Sequence, residues 1–206
     1  MKDEMDILKE VGNIAAAHGG IALSEIMKKK INLFVPRTEV VTNTSIQSKM
    51  LLEKMGVAVF SKIISGFNGR VVFLLDEKNA FRLNDISYKI KAEDKQSGVL
   101  TEIGMSLIKE IGSMVTSAYV TALGIMFKRV ILIAPPTLIS GTIKEILNIT
   151  VFSHDPSEEK KILLVEAKFE EPDENLRGSF YLVLTPDAAQ DIVALCKGLL
   201  KEIHDA

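Results

Sequence analysis

The chain has 206 residues, 47% of them hydrophobic, long enough to bury roughly 70% of the surface its unfolded form exposes and so to build an ordinary globular fold. Its 25 Lys and Arg against 27 Asp and Glu leave a net charge of -2, and no global field marks a nucleic-acid binder. Cys196 is the only cysteine, and His18, His154 and His204 lack ligand spacing, which argues against an intrachain disulfide or a transition-metal site.

The start, Met1-Lys2-Asp3-Glu4, is acidic and lacks the apolar run of a signal peptide, and no 18-residue uncharged apolar segment suggests a membrane span. A cytoplasmic protein without membrane insertion is expected. From Asp3 to about Lys30 the residues Ile7, Leu8, Val11, Ile14, Ala15, Ile21, Ala22 and Ile26 recur at helical spacing, which predicts a core stripe. Asp3, Glu4 and Asp6 complement the start of that helix and Lys28-Lys29-Lys30 its end. Gly19-Gly20 marks a weak point where a kink or break is expected, since each glycine costs about 1 kcal/mol in a helix interior. Residues 31–42 read as extended chain interrupted at Pro36, and a short helix is expected at 45–54. Residues 56–64 and 69–75 read as strands joined by the hairpin cluster Ser65-Gly66-Phe67-Asn68-Gly69, with a helix over 76–88.

The polar stretch 89–98 reads as a connector between two repeats, about 1–88 and 99–206, that together make a single domain. Beyond it the pattern restarts: a helix over 101–128, extended chain over 129–139 with Pro135-Pro136, and a short helix over 143–147. Strands at 161–169 and 178–184 and a closing helix over 186–203 follow, with 153–160 as a surface loop. Aligning 6–36 with 106–136 gives identities at Lys9, Glu10, Gly12, Ala22, Leu23, Lys28, Ile31 and Pro36, where chance gives about two. Further on the offset becomes 109, matching Gly69–Leu75 to Gly178–Leu184, and the nine extra residues are assigned to the 153–160 loop.

At 100° per residue Asp6, Glu10, Asn13 and Ala17 share one sector, opposite the Leu8, Ala15, Ala22 stripe. A solvated face explains one such triplet, but not its return as Ser106, Glu110 and Ser113. A carboxylate and an amide one turn apart make a poor metal site and no nucleophile–base pair. Among several possibilities, the amide could hold a water in line for attack on an activated phosphoryl group, where positioning supplies much of the catalysis. His18 projects with Val11 and Ile7 and reads as a packed histidine, Cys196 as a small core residue, and Gly12 and Gly112 as points of close approach.

The pattern Asp or Ser, three residues, Glu, two residues, Asn, 22 residues, Pro resembles the signature of the CheC, CheX and FliY phosphatases, which dephosphorylate the chemotaxis regulator CheY. Asp6, Glu10, Asn13 and Pro36 match in full; Ser106, Glu110 and Pro136 match in the second copy, where Ser113 stands for the asparagine. The two-copy layout and the sequence Glu-Val-Gly-Asn-Ile-Ala-Ala-Ala from Glu10 are similar to CheC. The resemblance implies an α+β fold of two pseudo-symmetric repeats, an antiparallel sheet flanked by long helices. It implies hydrolysis of a receiver's aspartyl-phosphate, with Asn13 orienting the water and Glu10 pairing with a lysine of the receiver. No cofactor of its own is implied, because Mg2+ comes with the phosphorylated partner. Ser113 is shorter by about one bond, roughly 1.5 Å, and lacks the amide's separate donor and acceptor, so the second site is expected to be weak or to bind only. The alternatives are a non-catalytic adaptor for phosphorylated receiver or for the deamidase CheD, and a flagellar-switch component related to FliM and FliN. A monomer is expected.

Overall fold

The computed structural model describes residues 2–42, 53–88, 100–152 and 161–204. The connector at 89–98, the loop at 153–160 and all but the last two residues of the helix expected at 45–54 lie outside the described residues. In chain order the elements are α1 (Lys2–Met27), β1 (Asn32–Val41), β2 (Met55–Ser65), β3 (Gly69–Asp76), α2 (Glu77–Tyr88) and α3 (Glu102–Phe127). They continue with β4 (Leu132–Ile133), β5 (Thr137–Thr142), α4 (Ile143–Phe152), β6 (Ile162–Glu171), β7 (Leu176–Leu184) and α5 (Pro186–His204).

The strands form one antiparallel sheet in the order β1-β6-β7-β3-β2, with β4 and β5 both paired to β2 at the far edge. This is the expected α+β class. Its register carries the repeat. On the central β3–β7 ladder Val72 pairs with Tyr181, its own counterpart at an offset of 109, and the neighbouring pairs Val71–Leu182 and Phe73–Phe180 exchange counterparts across it. A pseudo-twofold axis therefore passes through the Val72–Tyr181 pair. Thr38 opposite Val165 has its image in Leu138 opposite Val59, so the offset is 100 along the first strand and 106 along the second. Three of the nine extra residues consequently sit in the β6–β7 hairpin, where the ladder runs on through Glu170–Arg177 and Glu171–Leu176, and not in the 153–160 loop.

Alternation along the strands divides the interior in two. Val57, Val59, Ile63, Val71, Phe73, Leu75, Val165, Phe169 and Phe180 face α1 and α3 and build the larger core. Ala58, Val72, Leu74, Leu164 and Tyr181 point the other way, against Ile146, Leu147 and Val151 of α4. The proline of each repeat marks a bulge: the β1–β6 register shifts between Phe34 and Arg37, and Pro136 falls between β4 and β5. Proline offers no N–H to the ladder, which confines it to such a position on an edge.

Helix α1 runs unbroken through Gly19-Gly20. The two glycines are packing positions: a Cβ on Gly20 would collide with Leu33 of β1, and one on Gly19 would lie 3.6 Å from Val115 of α3. Gain of close packing offsets their poor helix propensity. Helix α3 starts on Thr101, whose hydroxyl accepts from the Gly104 N–H at 3.1 Å, and stops on Lys128 in the left-handed region, φ 50. By length and composition α3 would suffice to cross a membrane, but Ile108, Ile111, Val115, Tyr119 and Leu123 are buried, and its apolarity serves the core. Helix α4 is longer than the expected 143–147 because Val151 also reaches the second core.

The core stripe of α1 also differs from the expected one. Leu8, Val11, Ala15, Ala16, Leu23 and Met27 are buried, whereas Ile14, Ile21 and His18 are exposed. Small residues at 12, 16, 19 and 20 let the helix sit close to its neighbours along that side, so the larger side chains at 14 and 21 are turned outward.

Candidate functional site

Asp6, Glu10 and Asn13 lie on the exposed side of α1, spanning about 10 Å along the axis at 1.5 Å per residue. On α3 Ser106 and Glu110 are likewise exposed and Ser113 is half-buried. The two helices pack antiparallel, since Gly12 lies near the Tyr119 hydroxyl while Gly19 lies near Val115. The two motifs therefore run in opposite directions along the helix pair, with Asn13 and Ser113 each near the middle of its own helix.

What fixes the height and rotation of each motif is the glycine before its last residue. A Cβ on Gly112 would meet Val59 Cβ at 2.6 Å and Cγ2 at 2.7 Å, so α3 lies flush on β2 at that point. Gly12 meets Val165 of β6 in the same way. Val59 and Val165 are repeat counterparts, and each motif helix thus rests on a strand of the other repeat. Turning glycine to the sheet sends the next residue, Asn13 or Ser113, toward the outer side.

Local chemistry separates the copies. Thr116 Oγ1 donates back to Gly112 O at 2.8 Å and Ser113 O at 3.1 Å. Its counterpart in α1 is Ala16, which can make no such bond. At the start of α1, Lys197 Nζ of α5 lies 3.4 Å from Glu4, and the nearby chain terminus and this lysine hold the Glu4 carboxyl below its usual range.

The residues the sequence reading missed are Ile14 and Met114, which follow Asn13 and Ser113 directly. They are 39% and 48% exposed although large and apolar, and they flank the motif in both copies. The repeated apolar residue beside each motif was a signal, but the 3.6-residue pattern assigned Ile14 to the core. Pro36 and Pro136 lie at the sheet edges, where they shape the strand after each motif helix. Burial raises the Cys196 thiol, which is half-buried beside the core. Among the described residues no group of three His, Cys, Asp or Glu could hold a metal ion.

Residues 103–140, which contain the second motif, match the model of the CheC-like family. "CheY-P phosphatase CheC" of Bacillus subtilis is 25% identical over 135 residues, covering 62% of this chain and 61% of that one. Over these stretches the chain is similar to the CheC-like family. "Flagellar motor switch phosphatase FliY" of the same organism is 25% identical over 149 residues, 71% of this chain and 36% of that one. The chain thus spans less than two thirds of either CheC-like relative. Among solved structures, Thermotoga maritima FliY superposes with a TM-score of 0.77 at 22% identity, covering 95% of this chain and 96% of that chain. The CheX–CheY–BeF3–Mg complex of Borrelia burgdorferi gives a TM-score of 0.52 at 15% identity, covering 85% and 96%. These structures share the CheC-like fold.

Proposed function

We propose that this chain is a cytoplasmic phosphatase acting on the aspartyl-phosphate of a CheY-like response regulator. The observation that carries the reading is the exposed Glu10–Asn13 pair, one helical turn apart on a helix that Gly12 seats flush on the sheet. Glu10 meets a cation of the receiver and fixes the docking register. Asn13 enters the receiver's site, where its amide accepts from and donates to the attacking water and holds it in line with phosphorus. Water adds to phosphorus as the bond to the aspartyl oxygen breaks, releasing inorganic phosphate and restoring the carboxylate. The Mg2+ that balances the phosphoryl charge belongs to the phosphorylated receiver, so it is part of the substrate. Ile14 supplies apolar contact at the rim of the docking face.

Ser113 favours a second reading for the second motif, where Glu110 and Met114 keep the means to bind but the amide is gone. That site holds a receiver, or serves an adaptor's role toward a partner such as CheD, without accelerating hydrolysis. Phosphate release from phosphorylated CheY tests both readings. Asn13→Ala is expected to lower the rate by about 100-fold or more, the scale of a misplaced positioning group, and Ser113→Asn to raise it. Full activity in Asn13→Ala would sink the assignment.

A further inference from the structure

Helices α1 and α3 have the same length and run at a constant offset of 100, so each exposed position on one has a counterpart on the other. On α1 the exposed residues around the motif are Glu10, Asn13, Ile14, Ala17, His18 and Ile21. At 100° per residue all six fall within an arc of about 140°, so they share one face of the helix. Ile14 and Ile21 stand two turns apart on that face, 39% and 55% exposed although large and apolar. Ile21 is about 12 Å along the axis from Asn13 at 1.5 Å per residue.

The outward aim of Ile21 has the same origin as that of Asn13. A Cβ on Gly20 would collide with Leu33 of β1, as one on Gly12 would with Val165 of β6, so α1 is held to the sheet at two points eight residues apart. The residue after each contact is turned away from the sheet, and one helix carries both. On α3 Val120 stands where α1 has Gly20, and the next exposed residues after Met114 are Ser117 and Thr121. Equivalent geometry accepts threonine at the place of Ile21, so folding alone does not require the isoleucine. Beyond Met114, the large apolar residues exposed on α3 are Ile103 and Ile125, ten and twelve positions from Ser113, where α1 carries Asp3 and Glu25. Apolar surface gathers next to the amide on α1, and lies mostly away from the serine on α3.

We infer that Ile14, Ala17 and Ile21 form a docking ridge for the receiver whose phosphoryl group Asn13 meets, with Ile21 setting its affinity; this rests on the proposed function. A receiver that places its phosphoryl group at Asn13 and a cation at Glu10 extends across the ridge, because a protein contact of about 800 Å² per partner is roughly 30 Å across. The occupant is therefore a phosphorylated receiver with an apolar patch about 12 Å from its phosphorylated aspartate. Burying Ile21 removes apolar surface from water. It does so equally in the bound receiver and in the transition state, since the ridge is too far from phosphorus to sense the bond that breaks. The ridge selects the partner and leaves the chemistry to Asn13.

Steady-state phosphate release by the full chain over a range of phosphorylated CheY concentrations tests it, together with binding of CheY activated by beryllofluoride. Ile21→Thr, which takes the residue of α3, should raise KM and the dissociation constant about tenfold each, while kcat stays within about twofold and the melting temperature is kept. Ile21→Leu should recover both constants. Asn13→Ala, by contrast, acts on kcat. An Ile21→Thr variant with wild-type KM and dissociation constant overturns the ridge, as does one that loses kcat in a folded chain. A wild type that binds activated CheY without releasing phosphate, and loses that binding in Ile21→Thr, overturns the catalytic reading and upholds the ridge. A wild type that neither binds nor turns over overturns both.

Discussion

At the scale of single residues, glycine does opposite work at different places in this chain. Under each motif it is required by contact: the nearest atoms to a Cβ on Gly112 belong to the stem of Val59, which cannot swing aside as the end of a flexible chain would. Gly112→Ala must lift α3 from β2, an overpacking cost of about 1–3 kcal/mol that exceeds the roughly 1 kcal/mol of helix propensity gained. A lower urea midpoint at unchanged m-value is expected, and a neutral or stabilising result would mean that α3 is not seated on Val59. Gly198 in α5 has nothing within 4 Å of its would-be Cβ. Gly198→Ala is therefore expected to stabilise by about 0.5–1 kcal/mol in the same measurement. The identity Gly12/Gly112 was legible in the sequence as close approach, but not what approaches, because Val165 and Val59 lie in the opposite repeat.

At the scale of elements, the helix ends carry information that composition hides. Lys28 was read as a charge complementing its helix dipole, yet Lys28 and its counterpart Lys128 both adopt the left-handed conformation, φ 54 and φ 50, at the end of their helices. That conformation costs a residue with a Cβ about 1–2 kcal/mol, and glycine relieves it. Lys28→Gly is expected to raise the melting temperature although it removes a charge from the helix end; a fall would show the charge to be worth more than the strain. Helix α4 begins with a reciprocal cap, Glu145 Oε2 accepting from Thr142 N–H and Oγ1–H at 2.8 Å each, while Glu145 N–H reaches Thr142 Oγ1 at 3.3 Å. The bonds from Thr142 hold the Glu145 carboxyl below its usual range. A lowered folded pKa stabilises above the unfolded pKa and fades as pH falls through the folded value. The melting temperature of Glu145→Ala should therefore lie below wild type at pH 7, and the gap should narrow as pH falls below the ordinary glutamate value of about 4.3. Element types and most limits were legible from periodicity and turn chemistry. The outward Ile14, Ile21 and His18 were not, since a helical projection gives angles within one helix and cannot say where its neighbours stand.

At the scale of the whole molecule, the repeat was visible as an offset of 100 and then 109, but its consequence was not: the two copies are exchanged with one another. Among the described residues, edge strand β1 pairs only with β6 of the second repeat, and β4 and β5 pair only with β2 of the first. Each motif helix lies on a strand of the opposite repeat, through Gly12 on Val165 and Gly112 on Val59. Sequence periodicity describes each strand alone, and such pairing depends on contacts distant along the chain. It follows that a fragment of residues 1–88 would leave β1 without a ladder and the underside of α1 without its sheet, and residues 99–206 would fare likewise. Each fragment forfeits the apolar burial made across the two repeats, and a domain with a stability of about 5–15 kcal/mol has little to spare. Separate fragments are expected to melt without cooperativity, and an equimolar mixture to recover near-ultraviolet circular dichroism and a sharp transition whose midpoint rises with concentration. If residues 1–88 alone unfold cooperatively, the core is divisible and the motif helices owe their seats to their own repeat. Recovery in the mixture would mean that the geometry at Asn13 is set by residues more than one hundred positions away.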